Sequence, residues 1–128
     1  YPDSRYFVRG RINWQQVEQN LQNPETLAYQ IYHTLQTMIR VRKAHKAFSR
    51  GNLEFVHLKS ADNTVNKHIL AYDRVFEEEH ILVIQNLSAQ EQSVQIFEDR
   101  KKTKDLLDQE LVGHNNDLML APYAFYWL

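Results

Sequence analysis

HILAYDRVFEEEHILVIQNLS, residues 68 to 88, is the stretch that decides the fold. His68–Phe76 and His80–Leu87 are dense in apolar and aromatic side chains, and the run Glu77-Glu78-Glu79 between them reads as the tip of a hairpin. Ile81-Leu82-Val83-Ile84 is apolar at every position, so both faces of that strand need cover and it belongs centrally in a sheet. The three glutamates are expected to face water at the tip rather than to gather a cation.

The same two-residue period continues on either side. Leu53–Leu58 reads as a first strand, and Gln92–Phe97 alternates with Val94 and Ile96 on one face. Leu106–Leu107, Leu118–Leu120 and Tyr123–Leu128 read as short strands near the end. Polar turns separate them at Asp62-Asn63, Ser88–Glu91 and His114–Asp117. About seven strands, with little helix to cover them, favour two packed antiparallel sheets.

Before Gly51 the period is helical. Leu27, Ile31, Leu35, Met38 and Ile39 fall on one face, and Asn23-Pro24-Glu25 has the chemistry of a helix start. A helix from 24 to about 46 would be roughly 34 Å long. Arg40, Arg42, Lys43 and Lys46 suit its negative end, and a shorter helix is expected around Trp14–Leu21. The fold class is thus mainly β: an antiparallel sandwich over 51–128, preceded by one long amphipathic helix within 1–50. Residues 1–50 hold eight Lys/Arg against three Asp/Glu, and the remainder seven against thirteen, so charge changes sign at the same place. A stripe this long wants more partner surface than a small sandwich offers. Its expected partner is a body that precedes this chain, or else a second copy through Leu27, Ile31, Leu35, Met38 and Ile39.

The net charge of −1 gives no argument for nucleic acid or membrane, and no run reaches the roughly 18 apolar residues of a membrane span. The absence of cysteine removes disulfides, thiolate chemistry and sulfur-ligated zinc. The compartment stays open, with the cytoplasm favoured. His33 and His45 lie twelve apart, and His57, His68, His80 and His114 fall on or beside different strands, so no tight metal-ligand spacing occurs and no metal or cofactor is expected. His45, near a helix end, is expected to bond locally to the last carbonyls. The run Glu98–Asp105 has a basic centre bounded by acids and is a poor phosphate grip. Tyr123, Phe125 and Trp127 share one face of the last strand and offer either a sugar-stacking platform or core filling. Glycosidic hydrolysis needs two carboxylates about 5–9.5 Å apart; only Asp73 lies well inside an expected strand. The chain alone is not expected to be a catalyst. The rival readings are a stand-alone carbohydrate-binding sandwich and a helix-mediated interaction module.

DSRYFVRGRINW, residues 3 to 14, followed by NPETLAYQIYHTLQTMIRVRKAHKAF, residues 23 to 48, resembles the end of the catalytic barrel in the alpha-amylase family of glycoside hydrolases and transglycosylases. The hairpin stretch resembles the centre of domain C, the Greek-key sandwich that follows the barrel. DLL at 105 to 107, with LMLAPYAFYWL at 118 to 128, is similar to the family's closing pattern. The likeness is strongest to the sucrose-acting branch of amylosucrases and sucrose phosphorylases, with trehalose synthases as neighbours. That branch often reads Asp-Ser-Arg-Trp, Arg-Pro and Asp-Trp here. Asp3, Ser4, Arg5, Arg9 and Trp14 match it, whereas Tyr6, Gly10 and Asn13 depart from it. The resemblance implies catalytic carboxylates upstream of Tyr1, a supporting role for this part, and Asp3 and Arg5 as the residues nearest the substrate pocket of the whole enzyme.

Overall fold

The computed structural model describes residues 10–96, 104–113 and 116–128. The chain divides into two compact units, one ending at Met38 and one running from Ile39 to Leu128. Helix α1, Trp14–Gln22, starts where expected, because the Asn13 side chain accepts the Gln16 N–H at 3.1 Å. Helix α2, Leu27–Ala44, starts later than the proline suggests. Asn23 is already committed to closing α1, its N–H donating to the Asn20 carbonyl, and its side chain accepts the Glu25 N–H. The capping role passes to Thr26, whose Oγ1 accepts the Tyr29 N–H at 3.2 Å.

In the second unit the long helix does not run on to 46. It stops at Ala44, His45 is extended, and a five-residue helix α3, Lys46–Arg50, follows. Strands β1 (Asn52–Phe55), β2 (Ile69–Phe76), β3 (Glu79–Asn86) and β6 (Phe125–Trp127) form an antiparallel sheet in the order β1-β2-β3-β6. A second sheet pairs β4 (Gln92–Gln95) with β5 (Asp117–Leu120). The chain therefore leaves the first sheet after β3, builds the second, and returns to pair β6 with β3.

The expected central strand is β3, flanked on both sides and buried at Ile81, Leu82, Val83 and Ile84. Its two faces look at different partners. On one, Ala71, Leu82, Ile84, Tyr126 and Leu128 pack against Val94, Ile96, Leu118 and Leu120, with Leu58 closing the layer. This is the core of the sandwich, and each such aliphatic side chain contributes about 1.5–3 kcal/mol by leaving water. On the other face lie Ile81, Val83 and Trp127, all buried, and α3 packs there on β2 and β3. The Phe48 ring sits 4.6 Å from that of Trp127. Gly51 ends α3 against the sheet with no space for a Cβ, which would meet the carbonyl oxygens of Ala47 and Val75.

One turn of helix is too short to persist by itself, and α3 is held at both ends by the hairpin. Glu79 accepts the Ala47 N–H at 2.6 Å through Oε2, and meets His45 Nδ1 at 2.7 Å through Oε1. Arg74 donates from Nε to the Ala47 carbonyl at 3.0 Å and from Nη2 to the Phe48 carbonyl at 2.7 Å. A carboxylate thus sits at the amino end and a guanidinium at the carbonyl end, as the dipole favours. His45 is therefore not the local bonder of α2 that its position suggests. Its ring reaches a glutamate 34 residues away, and that contact divides the helix. Glu77 and Glu78 make the exposed turn, with Glu77 at φ 52°, whereas Glu79 belongs to β3 and faces α3. Leu106 and Leu107 form a turn, not a strand.

The Ala47 N–H, and after it the His45 ring, holds the Glu79 carboxyl below its ordinary range. Because the folded value is depressed, this contribution is present above the unfolded carboxylate value near 4.3 and disappears as pH falls through the lower folded value. Glu79→Gln is expected to cost about 1 kcal/mol at neutral pH, the scale of a lost helix cap. The difference from the unsubstituted chain should shrink below pH ~4. Urea denaturation at a series of pH values checks both, and a pH-independent difference would mean that the carboxylate charge is not what holds α3.

Candidate functional site

Three surfaces come forward as sites. The first is the apolar stripe of α2. Leu27 is 69% exposed, Ile31 51%, Leu35 52% and Ile39 53%, Met38 is half-buried, and no residue of α2 is buried. Tyr32, Trp14 and Ile12 are exposed too. Tyr29 and Tyr32 pack their rings on His33, at 4.0 and 5.3 Å, so His33 is engaged within its own helix. An apolar stripe left this open has the chemistry of a docking face.

The second is the aromatic set at the end of the chain. Tyr123 is exposed and has φ 57°, Phe125 is half-buried, and Trp127 is 8% exposed beneath Phe48. The left-handed backbone at Tyr123 interrupts the alternation and β6 begins only at Phe125, so the three rings do not present one exposed face. Tyr126 and Leu128 point into the sandwich core. Burial, and after it the charges of Asp105 and Glu110, pushes the Tyr126 hydroxyl above its ordinary pKa.

The third is an open groove of about 530 Å³ lined by Val56, Leu58 and Ile96 below and by His57, Lys59, Asn63, Gln95 and Asn116 around it. It has an apolar floor and amide groups, but among its described lining residues there is neither a carboxylate nor a Phe, Tyr or Trp ring on which a sugar could stack. Among the described residues no group of three or more His, Cys, Asp or Glu is placed to hold a metal ion, and no helix is long and apolar enough to cross a membrane. Asp3, Arg5, His114 and most of the mixed-charge run lie outside the described residues.

Three polar side chains are buried among the described residues, Asn66, Asn86 and Asp105, and the sequence forecast none of them as such; the last two are the most enclosed. Asp105 accepts the Trp127 N–H at 2.8 Å through Oδ1, and the Gln109 N–H and side-chain amide at 3.0 and 3.1 Å through Oδ2. Asn86 donates to the carbonyls of Gln90, Leu120 and Ala121 and accepts from the Ser88 N–H and hydroxyl. Both tie backbone to backbone, which is structural work. The DLL pattern pointed at Asp105; for Asn86 the signal was a polar residue on the inward phase just past an apolar run.

The model of the family described as maltogenic amylase, C-terminal domain, matches residues 62–127. Among solved structures, AmyP in complex with maltose is similar over 78% of this chain and 20% of its own, at a TM-score of 0.60 and 16% identity. The trehalose-6-phosphate hydrolase TreA of Bacillus licheniformis is similar over 86% and 19%, with a TM-score of 0.59 and 21% identity. The trehalulose synthase MutB of Pseudomonas mesoacidophila MX-45 is similar over 86% and 19%, with a TM-score of 0.58 and 20% identity. At these identities the likeness is one of fold. The chain spans about a fifth of the length of each of these structures.

Proposed function

This chain belongs to the family of maltogenic amylase C-terminal domains, and from that premise we propose that it is the non-catalytic closing part of an enzyme acting on α-glucosidic bonds. In this reading residues 1–50 are the end of a catalytic barrel, and residues 51–128 are the domain C that covers and steadies it. The observation that carries the proposal is the α2 stripe: eighteen helical residues without one buried, bearing Leu27, Ile31, Leu35 and Ile39 in the open. Apolar area of that kind is stabilising only when a partner removes it from water. A barrel helix has such a partner on its inner side. Without that body, the same stripe would draw two copies of this chain together.

The structural neighbours include a maltose complex and a trehalulose synthase, which fits α-glucosides as the substrate class. Asp3 and Arg5, at the rim of the barrel in this reading, would meet sugar hydroxyls beyond the cleaved bond. The test is to express the complete chain encoded by the gene and offer it sucrose, maltose and starch. Glucose release or glucosyl transfer is the expected result. An intact chain that does neither, or a gene that encodes no barrel ahead of Tyr1, overturns the reading.

A further inference from the structure

The groove of about 530 Å³ lies wholly within the second unit and plays no part in the proposed function. Its volume falls in the range of sites that take small molecules. Leu58 and Ile96 in its floor belong to the sandwich core, and Val56 beside them is half-buried. Backbone bonds pin its walls. The Gln95 N–H donates to the Lys59 carbonyl at 2.7 Å, the Ile96 N–H to that of Asn116 at 3.0 Å, and the Val56 N–H to that of Ala71 at 2.9 Å. The loop beyond Lys59 is closed by the Lys59–Val65 bridge and by the Ser60 N–H on the Thr64 carbonyl. It turns through Asn63 at φ 67°, a left-handed conformation that asparagine tolerates better than most residues. A frame held this firmly needs little ordering when a ligand arrives.

The charge of the lining selects the ligand. Residues 51–128 carry seven Lys and Arg against thirteen Asp and Glu, so an average patch of this region is acidic. The described lining runs the other way. Its ionisable side chains are Lys59 and His57, both basic and exposed, and Asn63, Gln95 and Asn116 add amide groups. The acids next to these residues in sequence stay out of it. Asp62 accepts the Thr64 N–H at 3.0 Å and its hydroxyl at 2.6 Å, and Asp117, opposite Gln95 in the β4–β5 ladder, does not line the groove. Among the described residues Lys59 has no ion-pair partner. We infer that this groove binds a small amphiphilic anion, its charged head at Lys59, His57 and the amides and a short aliphatic body on Val56, Leu58 and Ile96. Donors without a competing carboxylate suit an anionic acceptor, and a core-derived floor gains by covering carbon. A neutral sugar fits less well, since the described lining offers no Phe, Tyr or Trp to stack on and no carboxylate to accept its hydroxyls.

The test uses the complete chain and three fluorinated probes observed by ¹⁹F NMR line broadening: 6,6,6-trifluorohexanoate, the corresponding alcohol, and trifluoroacetate. The hexanoate is expected to bind with a Kd of roughly 1–10 mM, the scale of a small ligand on an open groove. The alcohol lacks the charge and trifluoroacetate lacks the body, so both should bind more weakly. Lys59→Gln is expected to weaken hexanoate binding roughly fivefold, the scale of an ion pair at a water-exposed rim. Asn63→Asp, which keeps the shape of an exposed lining residue and adds a negative charge, should weaken it at least as much. Lys67→Gln, exposed and outside the lining, should leave it unchanged. Hexanoate that binds Lys59→Gln and Asn63→Asp as it binds the unsubstituted chain overturns the inference, as does the absence of any binding. Alcohol or trifluoroacetate binding equal to hexanoate overturns the amphiphilic anion as the ligand. A loss in Lys67→Gln equal to that in Lys59→Gln means diffuse attraction to surface charge and overturns the site. None of these outcomes bears on whether the complete chain acts on α-glucosides, so the inference and the proposed function fail separately.

Discussion

Asp105→Ala is expected to lower the free energy of unfolding by about 3–4 kcal/mol, since hydrogen bonds to a charged acceptor contribute roughly 1.5–3 kcal/mol and a buried donor left unpaired costs a further 1–3. Asp105 is 1% exposed, and its carboxylate is where three elements meet: the turn at 106–107, the Gln109 backbone and the start of the Trp127 strand pairing. The turn itself is fixed by the Asp108 N–H donating to the Asp105 carbonyl at 3.0 Å, and by the Leu106 N–H donating to the Trp127 carbonyl at 2.8 Å. Removing the carboxylate strands the Trp127 N–H in a dry site, whereas the Gln109 amide can turn to water. Asp105→Asn is the sharper experiment because it keeps the size. Every group that meets the two oxygens is a donor, so one of them must face an NH2 group in the variant. That variant should still lose about 2–3 kcal/mol, close to the cost of an unsatisfied buried donor. Guanidinium denaturation read by circular dichroism measures both. An asparagine variant as stable as the unsubstituted chain would show that the side chain fills space rather than orders the backbone.

The elements themselves were largely legible in the sequence. Ile81–Ile84 announced a central strand because burial on both faces leaves no room for alternation, and Val94 and Ile96 announced an inward face because burial on one side imposes it. The misreadings share a physical cause. The apolar stripe ends at Ile39 and nothing from there to 46 is a glycine or proline that would stop a helix, yet the helix breaks at His45 because Glu79, distant in sequence, claims the Ala47 N–H and the His45 ring. Leu106-Leu107 has strand-like composition, but its backbone is taken up by the Asp105 turn. Local pattern reports which face is apolar; it does not report which backbone donors a remote carboxylate will collect.

The candidate site was legible in the same uneven way. The α2 stripe was found by comparing its length with the cover that a small sandwich can supply, and the exposure of Leu27, Ile31, Leu35 and Ile39 agrees with that comparison. Tyr123, Phe125 and Trp127 were grouped by assuming extended backbone through all three. The positive φ at Tyr123 breaks that assumption, and no residue type forecast it, since left-handed backbone favours glycine or asparagine over tyrosine. The exposed pair Leu53 and Phe55 went unnoticed because strand alternation cannot say which side of a sheet a neighbouring helix occupies. Register and the position of α3 were needed for that.

Asn86→Asp, a change of one atom type, should be more damaging than Asn86→Ala. Asn86 is fully buried on the core side at the end of β3, where it stitches the two sheets together. Its Nδ2 lies 2.7 Å from the Gln90 carbonyl, 3.0 Å from that of Ala121 and 3.3 Å from that of Leu120, while Oδ1 accepts the Ser88 N–H at 2.9 Å and its hydroxyl at 2.8 Å. Alanine leaves carbonyl oxygens and one N–H without partners and opens a small cavity, a loss of about 2–4 kcal/mol. Aspartate keeps the shape but turns a carboxylate oxygen toward three carbonyl oxygens at a fully buried position. A buried charge with one oxygen facing only acceptors costs about 3–5 kcal/mol, comparable to leaving one partner of a buried ion pair alone. The two variants should also differ in their response to acid. Burial and the surrounding carbonyls favour the neutral form of the introduced carboxyl, raising its folded pKa above the unfolded value near 3.9. The aspartate penalty is then fully present above the raised folded value. It eases as pH falls through that value toward the unfolded one, because the protonated acid can donate to one of the carbonyls. The alanine penalty has no such dependence. Unfolding free energies of the two variants at pH 7 and pH 5 decide the matter. An aspartate variant less destabilised than alanine at pH 7 would mean that the three carbonyls do not converge on this side chain in solution, and that the two sheets are held together by the apolar core alone.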